Sequence, residues 1–398
     1  MLTFPLPVRP TRHCACIIAV SALAIGCSDL PSRVTQPSSA PLSAVKFWED
    51  NAATRWNARA SELIVLRPPA NGQAASSRIL TYLSIAQYRA ALAVEKSRNG
   101  SVHPSVSAAI GGASVAVLSN FFSMDVASLE AWFQTDLNES QWPGGTHEDD
   151  ATGQAIGRSV GAAVLTQAAT DRYLTLLPGS PPVGPGYWVS SGAPISRSMH
   201  GTRPFFLGSA DRLRPPPPPA FGSPEYLAAL AEVRAISDTR TPEQTALAVY
   251  WATGAGPFTA VSLNSIATEM LRAHHRTEAE SARILAYANA AAFDAQIACS
   301  DAKFTYWFIR PTQADPAITL PIGLPNHPSY PSAHSCITGA LMTVLGREMP
   351  SERARMDAII VEAGLSRLYG GLHYRFDLEA GQAIGRGAAE LALAGSLE

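Results

Sequence analysis

Ser366-Arg367-Leu368-Tyr369-Gly370-Gly371-Leu372-His373-Tyr374-Arg375-Phe376-Asp377 is the stretch on which the reading of this chain turns. Its first residues close an apolar-periodic helix expected over Ser351 to Leu368, and its last residues lead into another over Leu378 to Ala394. Arg367 and His373 would point to different faces of an unbroken helix, but two adjacent glycines permit a sharp break that brings both to one point. His373 and Asp377 stand four apart at the start of the next helix. The carboxylate can there accept from one ring nitrogen and leave the other free as a nucleophile or a ligand. Taken alone, this spacing is commoner as a plain surface pair, and its weight comes from what precedes it.

Two earlier segments carry groups that suit the same guest. Lys303-Phe304-Thr305-Tyr306-Trp307-Phe308-Ile309-Arg310-Pro311 sets two cations seven residues apart. That is about two helical turns, so a helix would project both from one face before the proline stops it. A lysine point charge and an arginine fork in aromatic surroundings suit the oxygens of a partly desolvated anion, whereas the bland alternative is two snorkelling surface cations. Pro331-Ser332-Ala333-His334 then precedes an apolar helix expected over Ser335 to Arg347. Ser332 can cap that helix. Its first-turn amides lack intrahelical acceptors and carry the positive end of the dipole, so an oxyanion would rest there with the Ser332 hydroxyl as a further donor. His334 would face it as an acid–base group.

Around these segments the pattern is helical almost throughout. Ser76 to Val94 and Ser105 to Phe122 have apolar residues at helical spacing, as do Ser223 to Ile236 and Thr241 to Ala252. Thr277-Glu278-Ala279-Glu280 is a capping box opening a long helix through Ala298 and beyond. Strand-like alternation is nearly absent. Residues 178 to 224 hold Pro178, Pro181, Pro182, Pro185 and the run Pro215 to Pro219, which withholds backbone donors and predicts a long connecting loop between two helical halves. Pro311 to Pro331 reads as a second turn region.

Composition bounds the function from outside. The 398 residues are 46% hydrophobic, enough for a sizeable core, and a formal charge of -2 offers no global attraction to nucleic acid, so any anion site must be local. Residues 1–27 read as an export signal in which Leu23 to Cys27 also fits a lipoprotein cleavage box, with Cys27 as the lipid anchor. Residues 28–44 form a Ser- and Pro-rich tether, and 45–398 a single domain with its motifs at 303–377. The implied location is the periplasm, a membrane-tethered lipoprotein or the medium. No later segment offers about 18 uninterrupted apolar residues, which excludes a polytopic membrane enzyme. Beyond the signal only Cys299 and Cys336 remain, too few for a cysteine-built zinc site or a disulfide scaffold; two separate buried thiols are the expectation, with pairing the alternative.

Lys-x6-Arg-Pro, Pro-Ser-x-His and Ser-Arg-x3-Gly-x-His-x3-Asp, in this order, resemble the three-part signature of the type 2 phosphatidic acid phosphatase and vanadium-dependent haloperoxidase superfamily. Phe205-Phe206-Leu207, Arg214 with its proline run, Arg240 to Thr245 and Asp294 are similar to its exported bacterial haloperoxidase-like branch. The resemblance implies an all-α helical bundle of the acid phosphatase and vanadium haloperoxidase type. It makes His373 the apical vanadate ligand or the phosphate nucleophile, with Lys303, Arg310, Ser332, Arg367 and the Ala333 amide on equatorial oxygens. A haloperoxidase would oxidise halide with hydrogen peroxide, His334 assisting deprotonation of the peroxide. A metal-free acid phosphatase would instead pass phosphomonoesters through phosphorylated His373 while His334 protonates the leaving alkoxide.

Ala333 stands where the family usually has glycine, and Ser300 where such haloperoxidases often have a halide-side tryptophan. His327 occupies a position that is aromatic in the chloroperoxidase type and histidine in algal bromoperoxidases, which favours bromide or iodide over chloride. Tyr330 could add a polar aromatic wall on that side. A non-catalytic anion-binding protein that kept the pocket is the remaining class. Packing of the two halves makes a homodimer a further expectation.

Overall fold

Asn51, Ser105, Asp149, Ser223, Thr241, Thr277 and Ser332 each stand just before a helix and accept a hydrogen bond from the backbone N–H three residues on. These caps satisfy donors that the first turn of a helix cannot satisfy itself, and they set where helices begin. The computed structural model describes residues 51–98, 103–140, 149–173, 175–176, 180–254 and 258–398. The expected signal at 1–27, the tether at 28–44, Cys27 and the start of the domain near residue 45 lie outside them.

The capped helices are α1 (Ala52–Leu66), α3 (Val106–Phe121), α5 (Asp150–Ala169), α6 (Pro224–Thr239), α7 (Pro242–Val249), α9 (Glu278–Tyr306) and α10 (Ala333–Glu348). Between and after them come α2 (Gly72–Ser97), α4 (Val126–Ser140), α8 (Thr259–Ala273), α11 (Arg353–Tyr369) and α12 (Arg375–Ala394). Among the described residues there is no strand, only the isolated bridges Pro104–Asp149 and Tyr187–Phe308. All belong to one compact unit, Leu42–Glu398, and none of their helices is long and apolar enough to cross a membrane.

Helix α9 is the axis of the bundle. It is buried almost without interruption from Ser281 to Phe304 and packs against α2, α10 and α12. Its run of alanines lets these neighbours approach from several sides. Two other pairs approach closely through glycine. A Cβ at Gly157 of α5 would lie 2.0 Å from the Ala109 carbonyl oxygen of α3, and one at Gly385 of α12 would lie 2.5 Å from that of Cys336 in α10.

The described residues of the long connection from 170 to 223 contain no α-helix. Lacking donors along its proline run, the connection is fastened through acceptors. Tyr306 donates to the Pro215 carbonyl at 2.6 Å and Tyr330 to that of Pro216 at 2.8 Å. Where the loop does have N–H groups, buried Asp294 of α9 accepts from Phe205, Phe206 and Leu207. Arg214 forks onto Asp301, two residues before Lys303 on the same helix.

Candidate active site

The expectation that Lys303 and Arg310 share one helix face is corrected by the fold. Helix α9 stops at Tyr306, and Trp307 takes the left-handed conformation at φ 49°, its N–H closing on the Lys303 carbonyl at 2.9 Å. Arg310 lies beyond this cap with extended backbone, as the residue before a proline prefers. A chain reversal, rather than a helix face, brings the two cations together.

Arg310 is fully buried and spends its fork on one small region. Nη1 donates to the Leu372 carbonyl at 2.8 Å and to His373 Nε2 at 3.0 Å, and Nε donates to the His327 carbonyl at 3.1 Å. Guanidinium cannot accept, so His373 Nε2 carries the lone pair and Nδ1 the proton. Nδ1 donates to Asp377 Oδ2 at 2.7 Å. The same oxygen accepts from Ser329 Oγ at 2.6 Å and the Tyr374 N–H at 3.2 Å, while buried Oδ1 has no partner. Burial, then Arg310 and Lys303, hold the His373 imidazole well below its ordinary pKa, and burial pushes Asp377 up to about 6. The result is a neutral ring with its Nε2 lone pair directed at a cation. The Gly370-Gly371 break that permits this has φ 71° at Gly371.

Arg367, in the last turn of α11, donates through Nη2 to the Ala248 carbonyl at 2.7 Å and through Nε to Ser366 Oγ at 2.9 Å. Neither bond uses Nη1. Arg367, His373, His334, His327, Ala333 and Leu372 line one side of a cavity of about 180 Å³, faced by Trp251, Phe258, Thr259 and Gln296. His334 stands in the first turn of α10. Its Nε2 lies 3.1 Å from the Trp251 carbonyl oxygen and 3.0 Å from Thr259 Oγ1. A carbonyl can only accept, which assigns the proton to Nε2 and the lone pair to Nδ1. Burial, then Arg367, lower this ring to about 3.

Lys303 sits at the rear. Its ammonium donates to the carbonyls of Pro328 and Ser329 at 2.8 Å each, and to that of Pro331. All three hydrogens are thus used inside the protein, and burial lowers the group to about 8. It borders a small cavity of about 20 Å³ next to the larger one. Three cations against the one carboxylate of Asp377 leave two positive charges around neutral imidazoles.

Other candidates are placed as follows. Ser332 is fully buried, caps α10 and does not line the cavity. Ala333 does line it, and its helical backbone accepts the methyl without positive φ. His327 is a wall residue whose Nδ1 lies 2.9 Å from Arg310 Nη2. Tyr330 does not line the cavity, against expectation: its hydroxyl is held by Pro216 and its ring packs on Tyr306 and Phe376. Sequence reasoning missed Trp251, whose carbonyl is offered by a π-helical turn at Tyr250–Gly254, and Thr259 at the start of α8. Trp251 lay in an expected generic helix, Thr241 to Ala252, and Thr259 in no expected element, the helix Thr259–Ala273 having gone unread.

Residues 281–395 match the family model of the PAP2 superfamily, a span holding Lys303, Arg310, His327, Ala333, His334, Arg367, His373 and Asp377 but not Trp251, Phe258 or Thr259. No curated protein matches the chain. Among solved structures, the crystal structure of a bacterial vanadium-dependent iodoperoxidase has a similar fold, with a TM-score of 0.73 and 22% identity over 90% of this chain and 98% of that one. Holo-type and apo-type bacterial vanadium-dependent chloroperoxidases give TM-scores of 0.63 and 0.66 at 14% and 13% identity. The holo-type match covers 83% of this chain and 93% of that chain, the apo-type match 79% and 92%.

Proposed function

We propose that the chain, whose residues 281–395 match the PAP2 superfamily model and whose fold is similar to that of a bacterial vanadium-dependent iodoperoxidase, is a vanadium-dependent haloperoxidase that oxidises bromide or iodide with hydrogen peroxide. The observation that carries the reading is His373, a buried neutral imidazole with Nδ1–H on Asp377 and its Nε2 lone pair facing Arg310, in the wall of a cationic cavity. This donor set fits vanadate. One imidazole nitrogen can bond the central atom, Arg310, Arg367 Nη1 and the first-turn amides at Ala333 and His334 can bind its oxygens, and the net charge matches an oxyanion. Vanadate held there supplies Lewis-acid activation of hydrogen peroxide towards halide.

The chain's own residues then divide the work. Asp377 holds the His373 tautomer, and Arg310, which donates to the Nε2 lone pair in this structure, would release it to a guest and turn its own N–H groups to the guest's oxygens. Lys303 contributes charge while fixing the loop at residues 328–331. His334, unprotonated down to low pH, can take a proton from peroxide through Nδ1. His327 in the wall supports the softer halides, as does the fold's similarity to a protein described as an iodoperoxidase.

The PAP2 match over the cluster favours a second reading, a metal-free phosphatase with His373 as nucleophile. That chemistry needs protonated His334 to release the leaving group, which burial and then Arg367 disfavour near neutrality by lowering the ring's pKa to about 3. The test is one assay series on purified protein: p-nitrophenyl phosphate first, then orthovanadate with peroxide and bromide or iodide. Halogenation after vanadate loading is expected. Phosphatase turnover without halogenation overturns the reading.

A further inference from the structure

A further cavity, of about 420 Å³, lies between the connecting loop and α9 and shares no lining residue with the two cavities of the catalytic cluster. Its wall carries Arg172, His200, Arg203, Asp211 and Arg214 of the loop and Asp301 of α9. The backbone sets two of these arginines side by side: the Arg203 N–H donates at 2.8 Å to the carbonyl of Asp171, the residue before Arg172. Like charges placed together repel, and the nearby acids are spent elsewhere. The Asp171 carboxylate accepts from Arg78 at 2.7 Å, from Tyr82 at 3.0 Å and from the Tyr173 N–H at 2.9 Å. Asp301 is taken by the fork of Arg214 at 2.6 and 2.7 Å and by His200 Nε2 at 3.0 Å. Among the described residues, the guanidinium groups of Arg172 and Arg203 have no hydrogen-bond or ion-pair partner, and Asp211 reaches neither. The loop that carries them is pinned to α9 on both sides of the cavity, by Asp294 on the N–H groups of Phe205 to Leu207 and by Asp301 on Arg214.

We propose that this cavity is a second anion site, separate from the catalytic one, and that it takes a small polyanion with two negatively charged oxygen groups, carboxylate or phosphate, one for each of Arg172 and Arg203. A guanidinium fork presents two parallel N–H donors to either group, and such charge-assisted pairs are stronger than neutral hydrogen bonds. The space is more than twice the 180 Å³ of the catalytic cavity and falls in the range of about 300–1,000 Å³ typical of small-molecule sites. It therefore suits a skeleton of several atoms rather than a single tetrahedral ion. Asp211 subtracts from the positive field, so a lone negative charge gains little and a ligand engaging both arginines is selected. Because the loop is already fastened at Asp294 and Asp301, little ordering is left to be done on binding.

The test is isothermal calorimetry on the full chain with propane-1,2,3-tricarboxylate in one arm and pyrophosphate in the other, each in protein whose catalytic cavity has been filled with tungstate. One site per chain is expected, weakened by added salt, and the tighter arm identifies the charged group preferred. Arg203→Ala and Arg172→Asn should each raise the Kd about 5- to 20-fold. Asn is used at 172 because the backbone there is left-handed, φ 64°, a conformation that Asn tolerates better than Ala. Both side chains are exposed and bond to nothing in the fold, so both variants should unfold in urea as wild type does. Their affinity for tungstate, measured alone, should stay within about twofold of wild type. The proposal is overturned if neither probe shows saturable binding up to about 10 mM, or if binding survives in the double variant. Failure of tungstate itself to bind counts against the reading of the catalytic cavity, while the two arginine variants still decide this one.

Discussion

Replacing Asp377 by Asn should make the protein relatively more stable as pH rises while damaging the site. The carboxylate is fully buried, and its Oδ1 has no hydrogen-bond partner. Burial outweighs the opposing contributions of Ser329, Lys303 and Arg310 and lifts its pKa from 3.8 to about 6. That difference corresponds to about 3 kcal/mol against the charged form. Between these two values the folded state keeps a proton that the unfolded state has released. Stability from this group therefore falls as pH rises through the window and levels off above it. Asn has no such titration. Its amide can present an oxygen to Ser329, His373 and the Tyr374 N–H, but its NH2 then takes the unpartnered position, at a cost of about 1–3 kcal/mol that does not vary with pH. Urea unfolding of both proteins from about pH 4 to about pH 7 should thus show the variant gaining about 2 kcal/mol on wild type across the range, whatever the offset. His373 stays neutral throughout, because the burial and the two cations that depress it remain. A difference curve flat with pH refutes the claim that Asp377 is held against its own desolvation. Catalysis should move the opposite way, since a neutral amide no longer supports the basicity of His373 Nε2.

Four further outcomes test the rest. His373→Ala should abolish halogenation and phosphate ester hydrolysis alike while leaving the far-UV circular dichroism of a helical bundle; appreciable remaining turnover shows the reactive group is misassigned. Arg367→Ala should weaken tungstate binding about 10- to 100-fold by removing a charge-assisted donor from the cavity wall, read by calorimetry. His334, lowered from 6.5 to about 3, should keep its basic form as pH falls, so halogenation should show no limb near pH 6.5 from this residue. A profile with that limb, lost in His334→Ala, counts against the assignment. Gly157→Ala, whose Cβ would meet the Ala109 carbonyl oxygen at 2.0 Å, should destabilise the fold by about 1–3 kcal/mol in urea unfolding, with the site's affinity intact.

How much of this was legible in the sequence depends on whether local rules governed the residue. Caps at Thr277 and Ser332 and the break at Gly370-Gly371 follow from backbone chemistry within a few residues, and they stand where the pattern put them. The all-helical class was equally plain from periodicity. The Lys303–Arg310 spacing misled, because a helix was extended through Trp307, a residue whose left-handed conformation carries no sequence mark. Tyr330 was expected to add a polar aromatic wall to the pocket. Its direction is decided instead by the Pro216 carbonyl, 114 residues away, which needs a donor that a proline run cannot supply. Trp251 and Thr259 escaped notice for the same reason: one contributes a backbone carbonyl and the other an ordinary threonine, and only the tertiary fold sets them against His334.

The way the three cations are held explains why an anion should be wanted here at all. Buried arginine and lysine are usually paired with carboxylates, which cancel their charge as well as fix their position. In this chain Lys303 rests on the carbonyls of Pro328, Ser329 and Pro331, Arg310 on those of His327 and Leu372, and Arg367 on that of Ala248. Carbonyl dipoles satisfy the N–H groups and orient them, yet they leave the full positive charge in place. Asp377, the one carboxylate of the group, is turned to His373 rather than to any of the three. The desolvation cost visible in the lowered pKa of each cation is consequently not relieved within the protein. A guest carrying about two negative charges is the partner that relieves it, and a donor array already fixed by carbonyls needs little reorganisation to receive one.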